Sequence, residues 1–214
     1  MRTFSELEMD ALTEAFNLSL GEAASTFSAI VREEIELSVP TIEIVSREEL
    51  TGRLESAQPA GATERLCRIN QHFCAAGGFQ TDALLLFPEH GSLEIVRRML
   101  GDDTAIEHIT ELEQDALAEI GNIIINSCMS SLASLFGSEM HGSLPRVQSR
   151  TVHTLLDDKA ATDVILVARI GMSMAAHNLH GFVLFIMDVP SIEHFMDRVS
   201  RYFKLQLHDM GERV

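Results

Sequence analysis

Residues 10–17 read DALTEAFN and residues 115–122 read DALAEIGN. Each places an aspartate, a glutamate four positions on and an asparagine three further, and the two sets stand 105 residues apart. On a helix turning about 100° per residue, Asp10, Glu14 and Asn17 fall within an arc of roughly 60°, as do Asp115, Glu119 and Asn122. One face then carries carboxylates that can pair with a cation and an amide that can donate and accept together. The centre of that face lies well over ~90° round the helix from the apolar stripe, which predicts side chains that reach solvent and are open to a partner. Acidic residues favour the first turns of any helix because they complement its dipole. A chain of this composition shows the spacing by chance about one time in forty, so a single triplet carries little. Two triplets at the same helical phase, each holding the poor helix former asparagine mid-helix, ask for a use.

Other chemistries find less support. No Ser-His-Asp arrangement stands out, and Cys67, followed directly by Arg68, does not open a phosphate-binding CxxxxxR loop. Of nine histidines only His177 and His180 are close, and they flank an apparent turn rather than standing one helical turn apart, so no metal site is expected. Cys67, Cys74 and Cys128 are an odd number without a CxxC pair, which suits a reducing compartment, and Cys128 falls on an apolar helical face as a core residue. Thirty-two acidic against sixteen basic residues give a net charge of −16, the wrong sign for a nucleic-acid binder. The opening MRTFSELEMD has no apolar leader core, and no stretch reads as the ~20 apolar residues that span a bilayer. A cytoplasmic protein with no membrane insertion is expected.

The elements that carry the triplets repeat with them. Ser5 with Glu8, and Thr110 with Glu113, form S/T-x-x-E capping boxes, again 105 residues apart. Each opens a segment with apolar residues at helical spacing: Leu12, Phe16, Ala23, Phe27 and Ile30 in the first, Leu117, Ile124, Cys128, Leu132 and Leu135 in the second. Helices of about eight turns are predicted, the first ending near Leu37 before Pro40 and the second near Gly137. A short extended piece follows each, started by Pro40 or Pro145, then a polar stretch and two strand-like runs, RLCRINQHFCA and TDALLLFP, or TDVILVARIGM and HGFVLFIMDVP. Each half closes on an amphipathic segment, capped by Ser92 or Ser191. The reading is an α+β fold, a single domain of two helix, three-strand, helix repeats (1–101 and 102–214) with pseudo-twofold symmetry, joined at 101–108.

At the triplets the chain resembles the CheC, CheX and FliY phosphatases of bacterial chemotaxis. Their active-site pattern is Asp or Ser, three residues, Glu, two residues, Asn, then twenty-two residues and Pro. Asn17 to Pro40 and Asn122 to Pro145 both span twenty-three positions. AEIGNIIINSCMSSLASLFG looks like CheC, and two sites per chain are similar to CheC rather than to single-site CheX. The resemblance covers essentially the whole chain. It implies a phosphatase acting on the aspartyl phosphate of a CheY-like response regulator in two-component signalling. Asn17 and Asn122 would orient the attacking water, and Glu14 and Glu119 would pair with the receiver's lysine. Asp10 and Asp115 would support or dock, and Pro40 and Pro145 would serve structure. No cofactor is expected on this chain, the Mg²⁺ belonging to the phosphorylated receiver.

Three other functions stay open. Flagellar switch proteins of related fold act as non-enzymatic scaffold, CheC proteins often engage the deamidase CheD as a partner, and a metal-dependent hydrolase comes third. A chain that already carries both sites is expected to be a monomer. The sites are expected to be unequal, because EAFN has Phe16 where EIGN has Gly121. Glycine inside a helix costs about 1 kcal/mol against alanine, so its presence predicts close approach of another surface and a stronger second site.

Overall fold

The computed structural model describes residues 5–32, 34–56, 65–100, 110–156, 165–174, 179–187 and 189–211. Its elements run α1 (Glu6–Val31), β1 (Glu36–Leu37), β2 (Thr41–Val45), α2 (Arg47–Ser56), β3 (Leu66–Ala75), β4 (Gln80–Pro88), α3 (Glu89–Leu100), α4 (Glu111–Phe136), β5 (Met140–Gly142), β6 (Arg146–Arg150), a 3₁₀ turn (Val152–Thr154), β7 (Ile165–Met174), β8 (Leu179–Met187) and α5 (Val189–Gly211). The join at 101–108 and His177 lie outside the described residues.

Both capping boxes form. The Ser5 N–H donates to Glu8 Oε2 at 2.9 Å and the Glu8 N–H to Ser5 Oγ at 3.3 Å. The Thr110 N–H donates to Glu113 Oε2 at 2.8 Å. These caps satisfy amides that a helix start leaves without partners, and each opens a helix of 26 residues, about seven turns. Gly137 ends α4 in the left-handed conformation. The first helix does not run to Leu37 as expected. Arg32, at the position matching Gly137, adopts the same cap at φ 57° without being glycine. The chain then turns, buries Ile35 and delivers Leu37 to β1, with the Ile35 N–H held by Ser28 Oγ at 3.1 Å.

Among the described residues each half contributes four strands rather than three, the short β1 and β5 being the additions. Nor do Ser92 and Ser191 cap helices. They lie inside α3 and α5 and are fully buried; Ser92 Oγ donates to the Glu89 carbonyl at 2.7 Å, and Ser191 Oγ accepts the Gln80 N–H at 3.0 Å. Pro40 and Pro145 do stand immediately before strands, β2 and β6.

The eight strands form one antiparallel sheet in the order β1-β7-β8-β4-β3-β5, with β2 also on β7 and β6 also on β3. The leading strands of each half therefore complete the other half's long strands. Their registers match: Thr41 faces Arg169, and Arg146 faces Asn70. Just upstream, the Ser38 N–H donates to the Gly171 carbonyl and the Gly171 N–H to Ser38 Oγ; Ser143 and His72 make the same two bonds.

Strand alternation divides the apolar side chains between two faces. Cys67, Ile69 and Phe73 of β3 and Ala83, Leu85 and Phe87 of β4 join a core with α1, α3, α4 and α5. Leu84 and Leu86 instead meet Leu50 and Leu54 of α2 and Val152, Leu155 and Leu156 beside the 3₁₀ turn. Among the described residues one helix, α4, is long and apolar enough to cross a membrane by length and composition alone, and half of that stretch is buried inside the protein.

Candidate functional site

The inward faces of α1 and α4 fix where the triplets point. On α1, Leu12, Ala15, Phe16, Leu20 and Phe27 are buried; on α4, Leu117, Ile120, Ile124, Cys128 and Leu132. Asp10, Glu14, Asn17, Asp115 and Glu119 are exposed as expected, and none of the four acids forms an ion pair among the described residues. Each helix thus offers a free glutamate one turn before an asparagine. Asn122 departs from the expectation, being only half exposed.

Its amide is held from two sides. Gln71 Nε2 on β3 donates to Asn122 Oδ1 at 3.1 Å and to the Ser143 carbonyl at 3.0 Å. Asn126 Nδ2, one turn along α4, donates to Asn122 Oδ1 at 2.8 Å and to the Asn122 carbonyl at 2.7 Å. The amide orientations follow from the backbone: a carbonyl can only accept, so Gln71 and Asn126 must each turn their nitrogen toward it, and both then donate to Asn122. With two donors on Oδ1, Asn122 keeps its two Nδ2 hydrogens for solvent. Asn17 is exposed and makes no side-chain hydrogen bond among the described residues.

The glycine expectation needs a different cause. Gly121 is buried, and a Cβ there would collide with Ile69 Cγ2 on β3. The close approach is that of the protein's own sheet, not of a docking partner. Phe16, the counterpart, cannot obstruct a partner, because it is fully buried with its ring 5.1 Å from that of Phe185 and 5.7 Å from that of Phe195. Ile69 pairs with Val147 of β6, whereas in matching register Ala168 pairs with Ile42 of β2. Where the helix residue is large, the strand position is small.

Gln71, Asn126 and Ser143 were not picked out from the sequence. Two signals were present. Asn126 stands four residues beyond Asn122, and Gln71 is the polar break in the inward series Cys67, Ile69, Phe73. Elsewhere, burial pushes the Cys67 thiol up to about 11 and the Cys128 thiol up to about 12, which leaves both protonated and inert at neutral pH. Among the described residues no group of three or more His, Cys, Asp or Glu is placed to hold a metal.

The chain is similar to several known proteins. Residues 75–169 match the family model for the chemotaxis phosphatase CheX. Among curated proteins, the CheY-P phosphatase CheC of Bacillus subtilis is 28% identical over 145 residues, 66% of this chain and 66% of that protein. The flagellar motor switch phosphatase FliY of the same organism is 25% identical over 146 residues, 67% of this chain but 36% of that protein. The matched stretch therefore spans about a third to two thirds of these relatives. Among solved structures, Thermotoga maritima FliY aligns at a TM-score of 0.72 with 18% identity, covering 94% of this chain and 100% of that one. The Helicobacter pylori FliM middle domain aligns at 0.62 with 14% identity, covering 91% and 99%, and so shares the fold.

Proposed function

We propose, from the similarity to the CheC, CheX and FliY chemotaxis phosphatases, that the chain hydrolyses the aspartyl phosphate of a CheY-like response regulator. The observation that carries this reading is the pair of free glutamates, Glu14 and Glu119, each one turn before an asparagine, on two matching helices. An acyl phosphate is already activated and the receiver brings its own Mg²⁺, so the task left to this chain is to place a water in line. Asn17 and Asn122 hold that water. For Asn122, whose oxygen is occupied, the contact is an Nδ2–H donated to one lone pair of the water, leaving the other directed at phosphorus. The water oxygen bonds to phosphorus as the acyl P–O bond breaks; its electron pair stays on the aspartate, and the water's proton leaves on the phosphate.

Glu14 and Glu119 pair with the receiver's lysine and set the depth to which each helix enters. Asp10 and Asp115, one turn further back, contribute to docking. Pro40 and Pro145 start the strands beside the helices and have no chemical role. No covalent intermediate and no cofactor of this chain are involved. The protein acts in the cytoplasm, as a monomer carrying both sites.

The test is phosphate release from a phosphorylated CheY-type receiver, with Asn17→Ala, Asn122→Ala and the double variant. Acceleration by the parent protein and its loss in the double variant are expected. A parent protein without activity would favour the second reading, a flagellar-switch scaffold or CheD-binding adaptor, for which the fold shared with FliM is the motive.

A further inference from the structure

The Gln71 side chain is 1% exposed, and no donor among the described residues reaches its Oε1. An unpaired buried amide oxygen is unfavourable, and an apolar residue of similar size would remove the cost. The chain uses that apolar solution at the matching place: Arg169 and Asn70 occupy equivalent register positions, so Ile170 on β7 is the counterpart of Gln71 on β3. Ile170 is fully buried in the same core. At the other bracing position, the residue four beyond Asn17 is Gly21. One half therefore keeps a polar group that stability alone does not favour, and that group's two donors are spent on the asparagine and on the loop before Pro145.

We infer that Gln71 is a positioning residue, which with Asn126 locks the Asn122 amide so that its Nδ2 faces outward before any partner arrives. The inference rests on the phosphatase reading for its catalytic consequence. A preorganised donor does not have to be ordered when the receiver docks, which raises turnover rather than affinity. The second site is preformed and the first is not. Their inequality follows from this brace rather than from Gly121.

The brace also has an origin that can be tested by transfer. Gly21 has nothing within 4 Å of an added Cβ, and the Ser38 carbonyl stands in the register position of the Ser143 carbonyl. Gly21→Asn with Ile170→Gln would place the same two side chains at the equivalent helix and register positions of the first half.

Two measurements decide it. In an Asn17→Ala background, which isolates the second site, Gln71→Met keeps the side-chain shape and removes both donors. Turnover is expected to fall about ten- to a hundredfold with KM nearly unchanged, the scale of losing a second-layer positioning contact, while the denaturation midpoint holds or rises. Independently of activity, the Asn122 side-chain NH₂ resonances in ¹⁵N-resolved NMR should be dispersed in the parent and collapse toward free-amide values in Gln71→Met. The transplanted pair, placed in an Asn122→Ala background, should raise turnover at the first site. Unchanged Asn122 resonances, or unchanged turnover after they collapse, would overturn the positioning role. Resonances that collapse in a protein whose parent never accelerates phosphate release would uphold the brace and sink the phosphatase reading instead.

Discussion

Substituting Gly121 by alanine separates two explanations of the EIGN motif. If glycine is there to admit a partner, alanine should stabilise the free protein by about 1 kcal/mol, the helix-propensity gain. The structure requires the opposite sign. The new Cβ would meet Ile69 Cγ2, a methyl group one bond from the strand side chain's branch point, with Ile69 Cβ at 3.2 Å and Cδ1 at 3.3 Å behind it. Ile69 is fully buried in the core. Overpacking of this kind costs about 1–3 kcal/mol, so after the propensity gain a net loss of up to about 2 kcal/mol is expected. In urea denaturation followed by far-ultraviolet circular dichroism, that is a lower midpoint at unchanged slope. Ile69→Ala alone should cost about 2–5 kcal/mol as a cavity. Combined with Gly121→Ala it should cost less than the sum, since the second change relieves the clash created by the first. A Gly121→Ala protein more stable than its parent, with additive behaviour in the double variant, would refute the helix-to-sheet account.

The remaining predictions concern thiols and acid. In the folded protein a disulfide reagent at pH 8 should label Cys74 alone, because it is exposed while burial keeps Cys67 and Cys128 protonated; three thiols should react after unfolding. Two fast-reacting thiols in the native protein would contradict the described core. The Thr110 hydroxyl holds the Glu113 carboxyl below the usual glutamate range. A lowered folded value contributes stability above the unfolded value, lost as pH falls through the folded one. Thr110→Val should thus lower the urea midpoint at pH 7 and differ less from the parent near pH 3; a gap that widened in acid would reverse the assignment.

How much of this was legible depends on the range of the interaction. Ser5 with Glu8 and Thr110 with Glu113 are three-residue relations, and both boxes formed where the sequence put them. The helical phase that aims Glu14 and Glu119 outward is equally local. Arg32 escaped because a left-handed cap without glycine has no compositional mark, although the repeat offset that relates it to Gly137 was in hand. The exchange of leading strands escaped for a stronger reason. β2 would bury the same residues against β3 as against β7, and alternation says which face a strand shows, not which neighbour it takes. Gln71 combines both difficulties: its donors reach residues 51 and 72 positions away, so only its place in an apolar series marked it.

The exchanged strands also give the two proposed sites different supports. Asn122 belongs to the second half, yet the strand beneath it, β3, belongs to the first. A change in β3 therefore alters the support of the second site while leaving β7, near the first, untouched. Gly121 lets α4 lie directly on Ile69 of β3, whereas Phe16 of α1 is buried against the rings of Phe185 and Phe195. Once such a pair is set, neither member changes alone without a clash or a cavity. Gln71 and Ile170 are under no such volume constraint, being similar in bulk, and differ only in what they can donate. Packing fixes each helix at its height above the sheet; the polar choice at this one register position then decides whether the asparagine above it is held.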